Sequence, residues 1–134
     1  MQGALARAAS AYQQTHVQSR SPLELVVMLY DGVLRFAGEA QAALERHDLA
    51  AKRDAISRTL AIVSELQNTL DMERGGDIAR SLDGLYAYAN SKLLEANMQN
   101  DPARLAEVVK VFTTLREAWS ELAARPDAQT GTGQ

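Results

Sequence analysis

The chain has 134 residues, enough for one domain that buries roughly two thirds of its unfolded surface without a disulfide or metal staple. Fourteen Lys plus Arg stand against 17 Asp plus Glu, a formal net charge of −3, too balanced for a protein that lives on phosphate backbones or anionic lipid. Cysteine is absent, which excludes disulfides, thiolate metal ligands and thiol catalysis and fits a reducing compartment.

No apolar run approaches the ~18 residues of a membrane span, and the N-terminus lacks the basic and apolar blocks of a signal peptide. A cytoplasmic location is the expectation. Aromatics make up 5%, while Ala, Leu, Glu, Arg and Gln recur throughout. That is helix-forming composition, with no β-rich segment.

In residues 1–20, Leu5, Ala9, Tyr12 and His16 share one side of a short helix, a stripe too weak to hold alone. It docks on something or frays. Ser21-Pro22-Leu23-Glu24 is the first clear start signal: an N-cap serine, proline where its missing N–H is harmless, and a glutamate placed to reach back to the cap. The first helix is expected to run to Glu45 or Arg46. Asp48 can cap a second, reaching about Asp71. Arg74-Gly75-Gly76-Asp77 is the strongest breaker in the middle of the chain, and Asp77 suits the positive end of a third helix that reaches about Gln99. Asn100-Asp101-Pro102 opens a fourth, which stops near Arg125 before Pro126. The polar, glycine-bearing residues 127–134 read as a disordered tail.

Short turns between long helices favour antiparallel neighbours, so the predicted fold is all-α, an antiparallel up-and-down four-helix bundle over residues 21–125. Residues 1–20 form a short helical or extended appendage, and residues 126–134 the tail.

The large apolar side chains of the first helix sweep roughly 200° of its circumference, and those of the second and fourth about 160° each, where a typical stripe needs little more than ~100°. Only the third is narrow. A helix wedged between two neighbours needs a wide face; alternatively, part of each face forms a groove for a partner's amphipathic helix. Periodicity alone does not separate the two. Gly32, Gly38 and Gly84 lie inside predicted helices at about 1 kcal/mol each relative to alanine. Close packing of another backbone is the usual compensation, and the bundle's own is the first expectation.

Catalytic chemistry has no foothold in these residues. His16 and His47 lack the Glu-x-x-His spacing of a di-metal bundle, and neither sits at the exposed mid-helix position a phosphorelay needs. Glu117 and Glu121 read as a solvated face, and Gly75-Gly76 has neither the following Lys-Ser/Thr nor the preceding strand of a phosphate loop. Asp31 falls by angle with Glu24 and Arg35 on the polar side, exposed or partly paired. The expectation is a binding protein, not an enzyme, with no cofactor and no metal.

Ala11-Tyr12-Gln13-Gln14-Thr15, then Ser21-Pro22-Leu23-Glu24-Leu25 and Met28-Leu29-Tyr30-Asp31-Gly32, resemble the opening of the FliS-type flagellar export chaperones. Glu65-Leu66, Leu70-Asp71, Gly75-Gly76, Ile78-Ala79, Leu82 and Leu85-Tyr86 follow in the family's order and spacing. So do Ala96-Asn97, Asn100-Asp101 and Leu115-Arg116-Glu117-Ala118-Trp119, so that the match covers about residues 11–120. Ser19-Arg20 departs from the family's frequent Thr-Ala pair and leaves the helix cap intact.

The resemblance implies a cytosolic chaperone that binds the disordered C-terminal region of flagellin, prevents its early polymerisation and delivers it to the flagellar type III export gate without nucleotide hydrolysis. It further implies that the client becomes helical in apolar grooves, which the N-terminal segment covers when flagellin is absent. A client that folds on binding needs an extended apolar surface to offset its ordering entropy. From the wide faces of the first two helices and the flank of the third, Leu29, Val33, Ile62, Leu66 and Tyr86 are the expected flagellin-contacting residues, and Tyr12 the anchor of the N-terminal cap. The competing expectation is a structural or scaffolding bundle that self-associates, most simply as a homodimer.

Overall fold

A computed structural model describes residues 21–125, which form four helices: α1 (Pro22–Glu45), α2 (Leu49–Asn68), α3 (Met72–Gln99) and α4 (Pro102–Ala124). The expectations for residues 1–20 and 126–134, Tyr12 and His16 among them, lie outside the described residues.

The start signals act as their chemistry requires. The Ser21 hydroxyl accepts from the Glu24 amide at 3.2 Å while the Glu24 carboxylate accepts from the Ser21 amide at 2.9 Å, a reciprocal box that satisfies two donors at the α1 N-terminus. Asp48 accepts from the Ala51 amide, and Asp101 from the Ala103 amide beside Pro102. His47 and Asn100, at φ 60° and 52°, turn the chain at the same end of the bundle, where they line one cleft with Leu44, Leu49 and Pro102.

One boundary differs from the sequence reading. α2 stops at Asn68, and Asp71 caps α3 by accepting from the amides of Glu73 and Arg74. The Gly-Gly pair does not begin the helix but interrupts it: Gly76 takes φ 53° and ψ −129°, a conformation that suits only glycine, and the helix resumes after it. Gly75 is constrained differently, because a Cβ there would stand 2.5 Å from that of Ala79. Asp71, expected to close the second helix, is instead the cap that opens the third, five residues before the break at Gly76.

Each helix packs on its neighbours in sequence, and α1 also packs on α4, which closes a four-membered ring with α1 and α3 on one diagonal. Hydrogen-bonded pairs set the directions. Gln67 with Asp83 and Lys52 with Asn97 make α2 and α3 antiparallel, while Tyr88 with Glu107 and Glu95 with Arg104 do the same for α3 and α4. The core holds Tyr30 and Val33 from α1, Ile56 and Val63 from α2, Tyr86 and Leu93 from α3, and Leu105, Val108 and Phe112 from α4, all at 2% exposure or less. At its centre the Tyr30 and Tyr86 hydroxyls meet at 2.7 Å across the diagonal. Phe112 lies stacked on Tyr86 and edge-on to Tyr30.

Candidate binding surface

The word Tyr30-Asp31-Gly32 is spent on the bundle itself, each residue on a different helix. Tyr30 bonds Tyr86 of α3; burial and that bond hold its hydroxyl far above the ordinary phenol range. Asp31 forms an exposed ion pair with Arg116 of α4, 85 positions away, and this pairing holds the Arg116 guanidinium above its ordinary value. Gly32 lets α2 approach: a Cβ there would lie 3.1 Å from Cδ1 of Ile62. Of the three mid-helix glycines, Gly32 alone is explained by packing, and it is packed by a side chain rather than a backbone. Gly38 and Gly84 face open space.

Four of the five residues expected to contact a partner lie inside: Val33 at 0%, Tyr86 at 2%, Leu66 at 4% and Ile62 at 8% exposure, with Leu29 half-buried against the same core. α1 lies between two neighbours, which uses most of its wide face. Val26, Leu29, Leu34, Phe36 and Leu44 pack against the core cluster, whereas Leu23, Leu25, Val27 and Met28 are half-buried outside it. The first turns of α1 therefore carry apolar side chains on every side, more than the core consumes.

The larger surplus sits on the helix whose apolar face reads as narrow. Among the described residues seven large hydrophobic side chains are exposed, and six of them (Met72, Ile78, Leu85, Tyr88, Leu94 and Met98) belong to α3. At 100° per residue, Ile78 and Leu85 project roughly 80° to one side of the Tyr86–Leu93 core direction, and Leu94 and Met98 roughly 110° to the other. Tyr88, which bonds Glu107, marks the first side as the α4 side; Asp83 and Asn97, which meet Gln67 and Lys52, mark the second as the α2 side. Two apolar strips thus flank α3, one in its N-terminal half towards α4 and one in its C-terminal half towards α2. Their signal in the sequence is an i, i+7 pair and an i, i+4 pair, which a search for one continuous stripe passes over.

Ionisable groups near the strips are occupied with each other. Arg104 pairs with Glu95, Asp101 and Glu107, and the Tyr88 hydroxyl donates to Glu107, whose carboxyl is held below its usual value by that bond and by Arg104. Lys92 lies over the Tyr88 ring. Among the described residues no group of three or more His, Cys, Asp or Glu could hold a metal ion, and no helix is long and apolar enough to cross a membrane. The arrangement can bind; it displays no paired acid and base with which to do chemistry.

Fold and surface together define a class, an all-helical bundle that presents apolar strips around a fully packed core. The comparisons with known proteins are specific. Residues 5–126 match the family described as flagellar protein FliS. The chain is 42% identical to the flagellar secretion chaperone FliS of Campylobacter jejuni, over 84% of this chain and 88% of that one. It is 36% identical to the protein of the same name from Salmonella typhimurium, over 89% and 92% of the two chains. Against that of Bacillus subtilis the identity is 37%, over 84% and 83%. The chain belongs to the FliS family of flagellar secretion chaperones.

Proposed function

We propose that this chain binds the disordered C-terminal region of flagellin along the strips that flank α3, keeps it from polymerising in the cytoplasm and hands it to a component of the flagellar type III export gate, with no catalysis of its own. The observation that carries this reading is the concentration of exposed large apolar side chains on α3 in a member of a secretion-chaperone family. A disordered client that becomes helical needs pairs of apolar contacts spaced by one or two helical turns, and Ile78 with Leu85 and Leu94 with Met98 are so spaced. Val33, Ile62, Leu66 and Tyr86 then act from beneath, shaping the floor, with Leu29 reaching the surface. Leu23, Leu25, Val27 and Met28 adjoin residues 1–20, which suits a cover anchored by Tyr12 when no client is bound.

Co-purification with flagellin, with and without its C-terminal segment, tests the client and its site together. Loss of binding on truncation is expected; retained binding would overturn the reading. Calorimetry with the C-terminal peptide then places the site, because Ile78→Asp and Leu85→Asp alter exposed positions and leave the fold intact. Unchanged affinity in both would remove the α4-side strip.

A further inference from the structure

α3 is the least anchored of the four helices. Its buried residues are Ala79, Tyr86, Ala89, Leu93 and Ala96, of which only Tyr86 and Leu93 are large. Around the core cluster α1 adds Val26, Leu29, Leu34, Phe36 and Leu44, and α4 adds Val111, Leu115 and Trp119; α2 adds only Leu60 but itself buries Ile56, Ile62, Val63 and Leu66, whereas α3 adds Leu82 alone. Residues 77–89 therefore hang on the Tyr86 ring and its bond to Tyr30, with outer bonds from Asp83 to Gln67 and from Tyr88 to Glu107. On the α2 side, Asn90 Oδ1 is buried with no hydrogen-bond partner, a desolvation that separation of the two helices would relieve.

The two ends of the helix differ. Gly76, at φ 53°, is a joint between the first turn and the rest of α3. At the other end Lys52, only 3% exposed, reaches from α2 to donate to the Asn97 carbonyl at 3.0 Å and to Asn100 Oδ1 at 2.7 Å. These two hydrogen bonds from one ammonium fasten the last turn of α3, and the turn into α4, to α2.

We propose that residues 77–89 of α3 swing out from the bundle as a lid, with Gly76 as the loose joint and the Lys52 clamp on Asn97 and Asn100 as the pivot, while α1, α2 and α4 stay together. The motion uncovers Phe112, on which Tyr86 stacks at 6.0 Å, and Tyr30, which meets Phe112 edge-on at 5.5 Å. Ile78 and Leu85 travel with the lid, so their strip borders the slot that opens over this apolar floor. Its use by a flagellin helix rests on the function proposed above; the motion does not.

The chain is free of cysteine, so single cysteines report opening without background in the full-length protein. Ala37 in α1, Ala89 in the lid and Ala96 at the pivot are all 0% exposed. Under native conditions Ala89→Cys should be alkylated at least about tenfold faster than Ala37→Cys or Ala96→Cys, as sub-global opening requires. Tyr86→Phe should raise the Ala89 rate more than the Ala37 rate. Equal rates at Ala89 and Ala37 would overturn the lid, and equal rates at Ala89 and Ala96 would overturn the pivot. Relaxation dispersion on the unmodified chain gives a second reading: exchange confined to residues 77–89 and Phe112 supports the lid, and exchange spread over all four helices refutes it. A flagellin C-terminal peptide that binds yet leaves Ala89 labelling unchanged removes the client from the slot. Failure of the peptide to bind defeats the proposed function, while the labelling rates still judge the lid.

Discussion

Removing the Tyr86 hydroxyl tests the central polar contact of the core. The Tyr30 hydroxyl is raised by burial and by the bond to Tyr86 and lowered by Trp119, while Tyr86 is raised by burial and lowered by its bond to Tyr30. Either hydroxyl can donate to the other across their 2.7 Å contact. Tyr86→Phe leaves the Tyr30 hydroxyl buried without its partner, at about 1–3 kcal/mol, and Tyr30→Phe strands the Tyr86 hydroxyl at a similar cost. Replacing both removes the bond and the stranded group together, so the double variant should lose only about 1 kcal/mol, well below the sum of the singles. In a domain of this size each kcal/mol shifts Tm by roughly 4 °C. Urea denaturation of the four proteins followed by circular dichroism gives the coupling directly. The pH dependence has a definite sign: both folded-state values lie above the ordinary 10.0. The contribution is complete below pH 10 and is lost as pH rises beyond it, by about 1.4 kcal/mol per unit for each tyrosine, because the unfolded chain gives up those protons first. The double variant should lack this alkaline loss. Additive single effects, or an alkaline limb unchanged in the double variant, would refute the buried pair.

The glycines should divide by surroundings. Gly38→Ala and Gly84→Ala meet nothing within 4 Å and should raise stability by about 0.5–1 kcal/mol in thermal melts; Gly32→Ala, crowded by Ile62, should fall short of that gain. Gly76→Ala should destabilise by about 1–3 kcal/mol, since alanine is strained at φ 53°. Lys52→Ala leaves the Asn97 carbonyl and Asn100 Oδ1 without their donor; a loss of about 1–3 kcal/mol, with faster amide exchange at the α3–α4 turn, is expected. Phe112→Ala, at the centre of the core, should cost about 3–5 kcal/mol in urea titrations.

The helix starts at Ser21, Asp48 and Asp101 were legible because a cap acts within four residues of itself, and so was the all-helical character of the described residues. The start of α3 was misplaced for an equally local reason: Asp71 and Gly76 are both valid punctuation, and only the realised backbone shows that the chain begins a helix at the first and breaks it at the second. The depth of the expected partner residues was not legible. Val33, Ile62, Leu66 and Tyr86 stand out by angle, but angle does not say what covers a residue, and in the closed ring each helix is flanked by two others. Leu94 and Met98 form only an i, i+4 pair, too short to read as a stripe, and their exposure is set by packing.

By itself the sequence determined the number and order of the helices among the described residues, and, through the spacing of its words, the family. These are local or cumulative properties of the chain. The tertiary structure alone decided that Tyr30 meets Tyr86 56 positions away, that Asp31 finds Arg116, and that the exposed apolar surface gathers on α3. Burial is a relation between elements: the same leucine or tyrosine is core or surface according to which helix lies against it, and that choice is made only when the ring of four closes.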